Sequence, residues 1–510
     1  MRNKESAGGQ GSKGAGENFS RASLLPCPPA ALVSRWEGDG GYKDVLKIAG
    51  PLILSMGSWS ILHFIDRMFL AWYSSEALAA SMPASMLSFA FGSFFLGTAG
   101  YVNTFVAQYY GAKRFERVGA AVWQGIYFSA ISGILMVFLV PLAEPMFVLA
   151  GHDSEVRALE VVYFRILITW IWAVFLMSTI STFFSGRGDT WTVMWVNVTA
   201  VLINIVLDYV WVFGYWGFPE WGIRGAAWAT VVAEVFGCLV FFVLMLRKKF
   251  RVRYHTLNGW RFNWTLFKRL LRFGMPNGFQ FMIEIFAFTL FILLVGRLGR
   301  VELAAATVTF NINTLAFVPM LGVGIAVSTL VGQYLGEDRP DPAERSTWSA
   351  IQMTLVYMCI MASAYLFFPN LFLGPFESGA DPSEFGPVKD LCVVLLRFVA
   401  IYCVSDAAYI VFSAAIKGAG DTRFVMWVMA VLSSLVMVIP TYLAVVVWHL
   451  GIYFAWGIVT GYIIIASLIF WWRFKGGKWK SMRVIEQEGI SLVEGREAAE
   501  IQVREHTDTI

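Results

Sequence analysis

Long apolar runs fill most of the chain, each broken by a short polar or basic stretch. A run of about 20 apolar residues is long enough to cross the hydrocarbon core of a bilayer as a helix. On that rule the pattern predicts about twelve spanning helices. The first half gives spans at 45–73, 82–109, 118–142, 158–184, 191–214 and 223–247. The second half gives 268–296, 303–334, 346–368, 388–416, 422–447 and 452–474. Residues 1–42 are Gly- and Ser-rich, lack the apolar stretch of a signal peptide and read as a disordered tail. The polar residues 476–510 read as a second tail, with a weak surface helix over Val484 to Glu500.

The two halves say the same thing. Val106-Ala107-Gln108-Tyr109-Tyr110-Gly111 is answered by Val331-Gly332-Gln333-Tyr334-Leu335-Gly336, 225 residues on. Pro51 and Pro276 stand at the same offset, opening the first and seventh spans. Gly186-Arg187-Gly188-Asp189-Thr190 is answered by Gly418-Ala419-Gly420-Asp421-Thr422 at an offset of 232. Duplicated apolar halves mark secondary transporters, whose site lies between the repeats. An even number of spans per half gives both halves one orientation. The predicted fold is therefore all-α, with two six-helix lobes related by a pseudo-two-fold axis along the membrane normal. The lobes are assigned to 43–247 and 268–475, with a basic linker at 248–267. The repeated motifs read as scaffold. Gly111 and Gly336 are placed to stop helices, and Asp189 and Asp421 to cap the helices that follow. Pro319 and Pro440 lie deeper in their spans and permit bending.

Composition agrees with the pattern: 57% of residues are hydrophobic and only 15% charged. A soluble chain carries nearer a quarter charged residues. The net charge of +4 is gathered in a few loops and excludes a nucleic-acid face. Lys113, Arg114 and Arg117 follow the second span, Arg247 to Arg272 form a basic connection after the sixth, and Arg473 to Lys480 close the twelfth. The alternate loops carry Glu144, Asp153, Glu220, Glu377, Asp381 and Glu384. By the positive-inside rule both termini are expected in the cytoplasm, with the protein multi-pass in the cell (inner) membrane. Five cysteines include no CxxC pair and read as small hydrophobes rather than a disulfide or metal site.

Polar residues inside the spans are not duplicated. Asp66 is matched by Phe291, Glu284 by Trp59, Asp406 by Val174 and Asp208 by Pro440. The halves share a frame but not a chemistry. A charge at mid-membrane costs about 3 kcal/mol or more unless paired, hydrated or protonated, so four such carboxylates point to function. Asn204 and Asp208 lie four apart on one helix face, and with Asp66 and Thr230 they offer oxygens to a small hard cation or a shared proton. Asn277, Gln280 and Glu284 form a polar stripe on the seventh span, and Asp406 stands in the tenth. Glu234, one turn past Thr230, either joins the first cluster or bonds a neighbouring helix. His63 reads as packed. Arg165 and Arg397, near the outer ends of their spans, read as snorkelling or structurally paired.

With these residues in place, the chain resembles the multidrug and toxic compound extrusion (MATE) family over residues 43–478. The resemblance rests on Asp66, on Asn204-Ile205-Val206-Leu207-Asp208 and on Gly222-Ile223-Arg224-Gly225-Ala226-Ala227-Trp228-Ala229-Thr230. It rests also on Gly274-Met275-Pro276 before Glu284, and on Ser405-Asp406 leading to Lys417-Gly418-Ala419-Gly420-Asp421-Thr422. It implies an antiporter that exports lipophilic organic cations and drugs by alternating access. The driving ion would be H+ or Na+, with no other cofactor. Asp66, Asn204, Asp208 and Thr230 match the family's cation site. Glu284 and Asp406 match residues of coupling or substrate binding, with Gln280 and Asn277 beside them. Expected partners are organic cations and membrane lipids, the protein itself being a monomer. The chain departs from the family in Arg67, which directly follows Asp66 and which we expect to turn outward, and in Ala71-Trp72-Tyr73-Ser74, where a glycine pair is usual.

Two other readings compete. A flippase for a lipid-linked precursor, of the same superfamily, wants a cationic cavity, whereas the midplane here is acidic. A membrane-embedded enzyme or a channel lacks support: there is no HExxH, GxSxG or nucleotide fingerprint, and a two-lobe frame suits alternating access.

Overall fold

Helix ends here are set by caps rather than by where apolarity stops. The computed structural model describes residues 35–151, 153–377 and 382–486. Cys27, most of the expected first tail and residues 487–500 of the expected surface helix lie outside them. Twelve described helices are long and apolar enough to cross a membrane. They are α1 (Tyr42–Tyr73), α2 (Ser75–Gly111), α3 (Phe115–Leu149), α4 (Ser154–Ser185), α5 (Thr190–Phe213) and α6 (Ile223–Met245). The second half supplies α7 (Trp264–Val295), α8 (Arg300–Gly336), α9 (Pro340–Phe367), α10 (Phe385–Ala419), α11 (Thr422–Val447) and α12 (Ile452–Lys475). α2 starts at Ser75 rather than near residue 82 because the Ser74 side chain accepts from the Ala77 N–H at 3.0 Å and caps the helix there. α9 starts at Pro340, where a missing N–H costs nothing.

The helices form two lobes. In the first, α4 packs against α2, α3 and α6, while α5 lies between α1 and α6. In the second, α10 packs against α8, α9 and α12, while α7 lies against α11. α11 takes wide π turns over Leu432–Val438 and Leu443–Val447, on either side of Pro440. A proline at that point removes an N–H donor, and a wider turn accommodates the loss. α8 carries Pro319 as one continuous helix.

Between the lobes, α1 meets α8 and α2 meets α7. These contacts lie in the half nearest the face that carries both described chain ends, here called the terminal face. There the repeated motifs clasp one another crosswise. Gln108 Nε2 donates to the Gly418 carbonyl at 3.0 Å, and Gln333 Nε2 donates to the Gly186 carbonyl at 2.8 Å. Each Gln-Tyr-x-Gly segment thus holds the glycine turn of the opposite half. A Cβ on Gly111 would fall 1.9 Å from the Gln333 carbonyl oxygen, and one on Gly336 would fall 2.2 Å from that of Gln108. Glycine is needed at both places for the backbones to approach, not only to stop a helix. Asn103 Nδ2 donating to Thr329 Oγ1 at 2.8 Å and Tyr101 Oη donating to the Lys417 carbonyl at 2.8 Å extend the latch.

The expected caps do not form. Asp421 pairs with Arg473 at 2.5 Å, and Asp189 accepts from Thr192 Oγ1 at 3.0 Å, so neither side chain caps a backbone N–H. Both terminal segments cross the lobe boundary. Gly40 N–H donates to Tyr334 Oη at 2.9 Å, and Arg339 pairs with Asp39 at 2.5 Å. The Val484 N–H donates to Gln108 Oε1 at 2.8 Å, while Glu486 accepts from Tyr109 Oη at 2.8 Å and meets Arg269 at 2.6 Å.

Toward the far face the lobes part. On α2, Gly97 lies against Gly278 and Phe89 against Phe281, but Met86 and Met82, continuing the same stripe, are exposed. On α1 and α8, Ile53 touches Gly322, whereas Gly57 faces open space and Phe64 and Leu315 are exposed. The molecule is latched at one face and open at the other.

A Gly111→Val or Gly336→Val variant is expected to insert normally yet lose the latched state by at least about tenfold, a cost of about 1.4 kcal/mol or more. Spin-label distances across the terminal face check this. An unchanged distance distribution would show that the glycine contact does not govern closure.

Candidate functional site

Asp66 on α1, Asn204 and Asp208 on α5 and Thr230 on α6 converge inside the first lobe. α1 packs on α5 and α5 on α6, which brings these positions to one level. Asn204 is fully buried and Asp208 only 1% exposed. Hydrogen-bond logic turns the Asn204 amide so that its nitrogen donates to Asp66 Oδ1 at 3.1 Å and Asp208 Oδ2 at 3.2 Å. Its oxygen then accepts from the Thr230 N–H at 3.0 Å. The two carboxyl groups stand within hydrogen-bonding reach of each other. Asp208 Oδ1 is buried with no partner. Carboxyls so close share a proton or hold a cation between them. Arg67 is exposed and makes no ion pair among the described residues, though its charge still acts on Asp66. His63 is exposed with its ring edge toward Trp59 at 6.3 Å, so it is not the packed histidine that was expected.

The second lobe holds a separate group. Glu284 on α7 accepts a hydrogen bond from Tyr409 Oη and lies within electrostatic reach of both Asp406 and Lys417. Gln280 Oε1 accepts from Lys417 Nζ at 3.2 Å. Asp406 is 5% exposed. Asn277 does not join this group: its Nδ2 donates to the Gly97 carbonyl at 2.8 Å and ties α7 to α2. The face of a helix alone could not assign it, because the neighbouring lobe approaches there.

Lys417, and not Arg165 or Arg397, is the base beside these carboxyls. Arg397 is exposed, and Arg165 lies 3.8 Å from Glu144. Lys417 sits eleven residues beyond Asp406 and Tyr409 three beyond it, all on one helical face, so the spacing carries the signal. Among the described residues no three His, Cys, Asp or Glu are grouped to hold a metal. An alkali cation would depend on amide and hydroxyl oxygens as well.

The model of the family described as MatE matches residues 51–210 and 276–443, one segment in each lobe and together well over half of the chain. The chain belongs to the MATE family. It is a multi-pass membrane transporter and not an enzyme. A probable multidrug resistance protein NorM of Thermotoga maritima is 24% identical over 454 residues, covering 88% of this chain and 95% of its own length. Its Brucella suis counterpart is 27% identical over 406 residues, covering 78% and 85%. A solved multidrug resistance MATE transporter of the MOP superfamily, described as outward-facing, matches with a TM-score of 0.79 at 20% identity, over 88% of this chain and 99% of that one. A MOP superfamily transporter from Pyrococcus furiosus, described as having a binding pocket of reversed polarity that suggests a different function, matches with a TM-score of 0.78 at 20% identity, over 88% and 99%. At that identity the structures speak for the two-lobe fold alone.

Glu284→Gln and Asp406→Asn keep size and hydrogen bonding but remove charge and proton. Each is expected to lower transport by about tenfold or more, with normal insertion. Asn277→Ala should instead lose one neutral hydrogen bond, about 1 kcal/mol, and retain transport. Uptake assays at matched surface expression distinguish these. Full activity in both carboxyl variants would remove them from the mechanism.

Proposed function

We propose that this protein is a cation-coupled antiporter that exports lipophilic organic cations and drugs across the cell membrane, with both termini in the cytoplasm. The observation that carries the reading is the convergence of Asp66 and Asp208 on Asn204 inside the first lobe, with His63 and Arg67 of the same helix the basic groups nearest Asp66. Two carboxyls at that distance accept a proton or Na+ readily and release it when the lobe rearranges. Asn204 orients both, and Thr230 adds an oxygen. In the second lobe, Glu284 and Asp406 would hold the positive charge of the cargo, with Tyr409 orienting Glu284 and Gln280 lining the approach. The basic loops lie on the terminal face, and by the positive-inside rule they support a cytoplasmic position for it. The latched arrangement is then open to the outside. The names of the NorM relatives support drugs as cargo.

Lys417 is the observation that favours the second reading, a flippase for an anionic lipid-linked precursor. One ammonium against the two carboxyls of Glu284 and Asp406 leaves the acidic groups in the majority, so cationic cargo is preferred.

Cells carrying the protein should accumulate less ethidium and less of other lipophilic cationic dyes than cells without it. Equal accumulation across several such dyes would count against drug efflux. Na+ and H+ should compete at the first-lobe site, so that Na+ binding releases protons and weakens as pH falls from about 8 to about 5.5. An affinity for Na+ unchanged over that range, or unchanged in Asp66→Asn, would contradict the assignment.

A further inference from the structure

A small cavity, of the size of a single water or ion, lies one turn nearer the terminal face than the Asp66–Asp208 pair. Its polar lining is Asn197, Asn204, Thr230 and Glu234, and the rest is apolar, including Trp59 and Met177. Asn197 is two helical turns before Asn204 on the same face of α5, and Glu234 one turn after Thr230 on α6. No Lys, Arg or His lines this space.

Its oxygens lack donors. Asn197 is 7% exposed, and its Nδ2 is held by donating to Ser55 Oγ at 2.7 Å. That bond leaves Asn197 Oδ1 buried and unpartnered. Glu234 Oε2 is likewise buried and unpartnered. Thr230 Oγ1 donates its hydrogen to the Ala226 carbonyl at 3.1 Å, so its lone pairs remain available to a cation. A buried acceptor without a donor costs about 1–3 kcal/mol, and several around one space make an environment for a positive ion. Helix bonding alone does not account for them, because a structural role would have satisfied these atoms.

We infer that Glu234, Asn197 and Thr230 form a second position for an alkali cation, distinct from the Asp66–Asp208 site and next to it on the way to the terminal face. A carboxylate, an amide oxygen, a hydroxyl and water make an all-oxygen shell suited to Na+. The two positions share Thr230 at their boundary, the Asp66–Asp208 site being the outer and the new position the inner. This inference rests on the reading of Asp66 and Asp208 as an ion site.

The test is equilibrium binding of radiolabelled Na+ to the purified full-length protein. The wild type is expected to bind two Na+, and Glu234→Gln one. Asp66→Asn should retain the ion that Glu234→Gln loses. Asn197→Val, which removes only the amide, should weaken the inner ion at least tenfold and serves if Glu234→Gln does not fold, as judged by size-exclusion profile. A wild type that binds a single Na+, lost in Asp66→Asn and unchanged in Glu234→Gln, overturns the second position while leaving the outer site standing. Absence of bound Na+ also overturns it, and leaves only proton coupling for the parent reading.

Discussion

Four residues decide how the two lobes meet. Gln108 and Gln333 each reach across the boundary to a glycine-turn carbonyl of the opposite half, and Gly111 and Gly336 let the backbones come close enough for this to happen. The pseudo-two-fold symmetry of the molecule is concentrated there. Burying those amides and carbonyls unpaired would cost more than the bonds return when made, so the latch is either complete or open. That two-state character is what alternating access needs. The terminal segments add to it, with Val484 on Gln108 and Glu486 between Tyr109 and Arg269.

The chemistry is placed where the symmetry stops. In the first lobe the acidic pair is bridged by one amide. In the second, Glu284 stands between an acid and a base, Asp406 and Lys417. Because the Lys417 carbonyl also accepts from Tyr101 of the first lobe, the second-lobe group is tied to the latch through the backbone that carries it. A change at Glu284 that shifts Lys417 therefore reaches the lobe boundary by a short covalent and hydrogen-bonded path.

Much of this was legible in the chain. Apolar run length yields the twelve helices, and the offsets between repeats yield the two lobes. Spacing puts Asn204 and Asp208 on one helix face, and the family resemblance implied their grouping with Asp66 and Thr230. Asn277 could not, since its partner at Gly97 belongs to the other lobe and no periodicity within α7 reports it. Asp189 and Asp421 resemble caps in any local reading, and only the folded chain brings Arg473 to Asp421. The repeated glutamines read as scaffold, which is right in kind, but their targets lie across the boundary. Asn197 and Lys417 were visible by spacing and lacked only a reason to be noticed.

We propose that buried carboxyls couple an ion gradient to cargo movement. Purified protein in proteoliposomes, loaded with a fluorescent lipophilic cation, separates the drivers when a proton gradient and a Na+ gradient are imposed one at a time. The account predicts that at least one gradient accelerates cation movement, and that Asp66→Asn abolishes the acceleration while leaving leak unchanged. Transport at one rate whatever the gradient, or acceleration that survives Asp66→Asn, would contradict it.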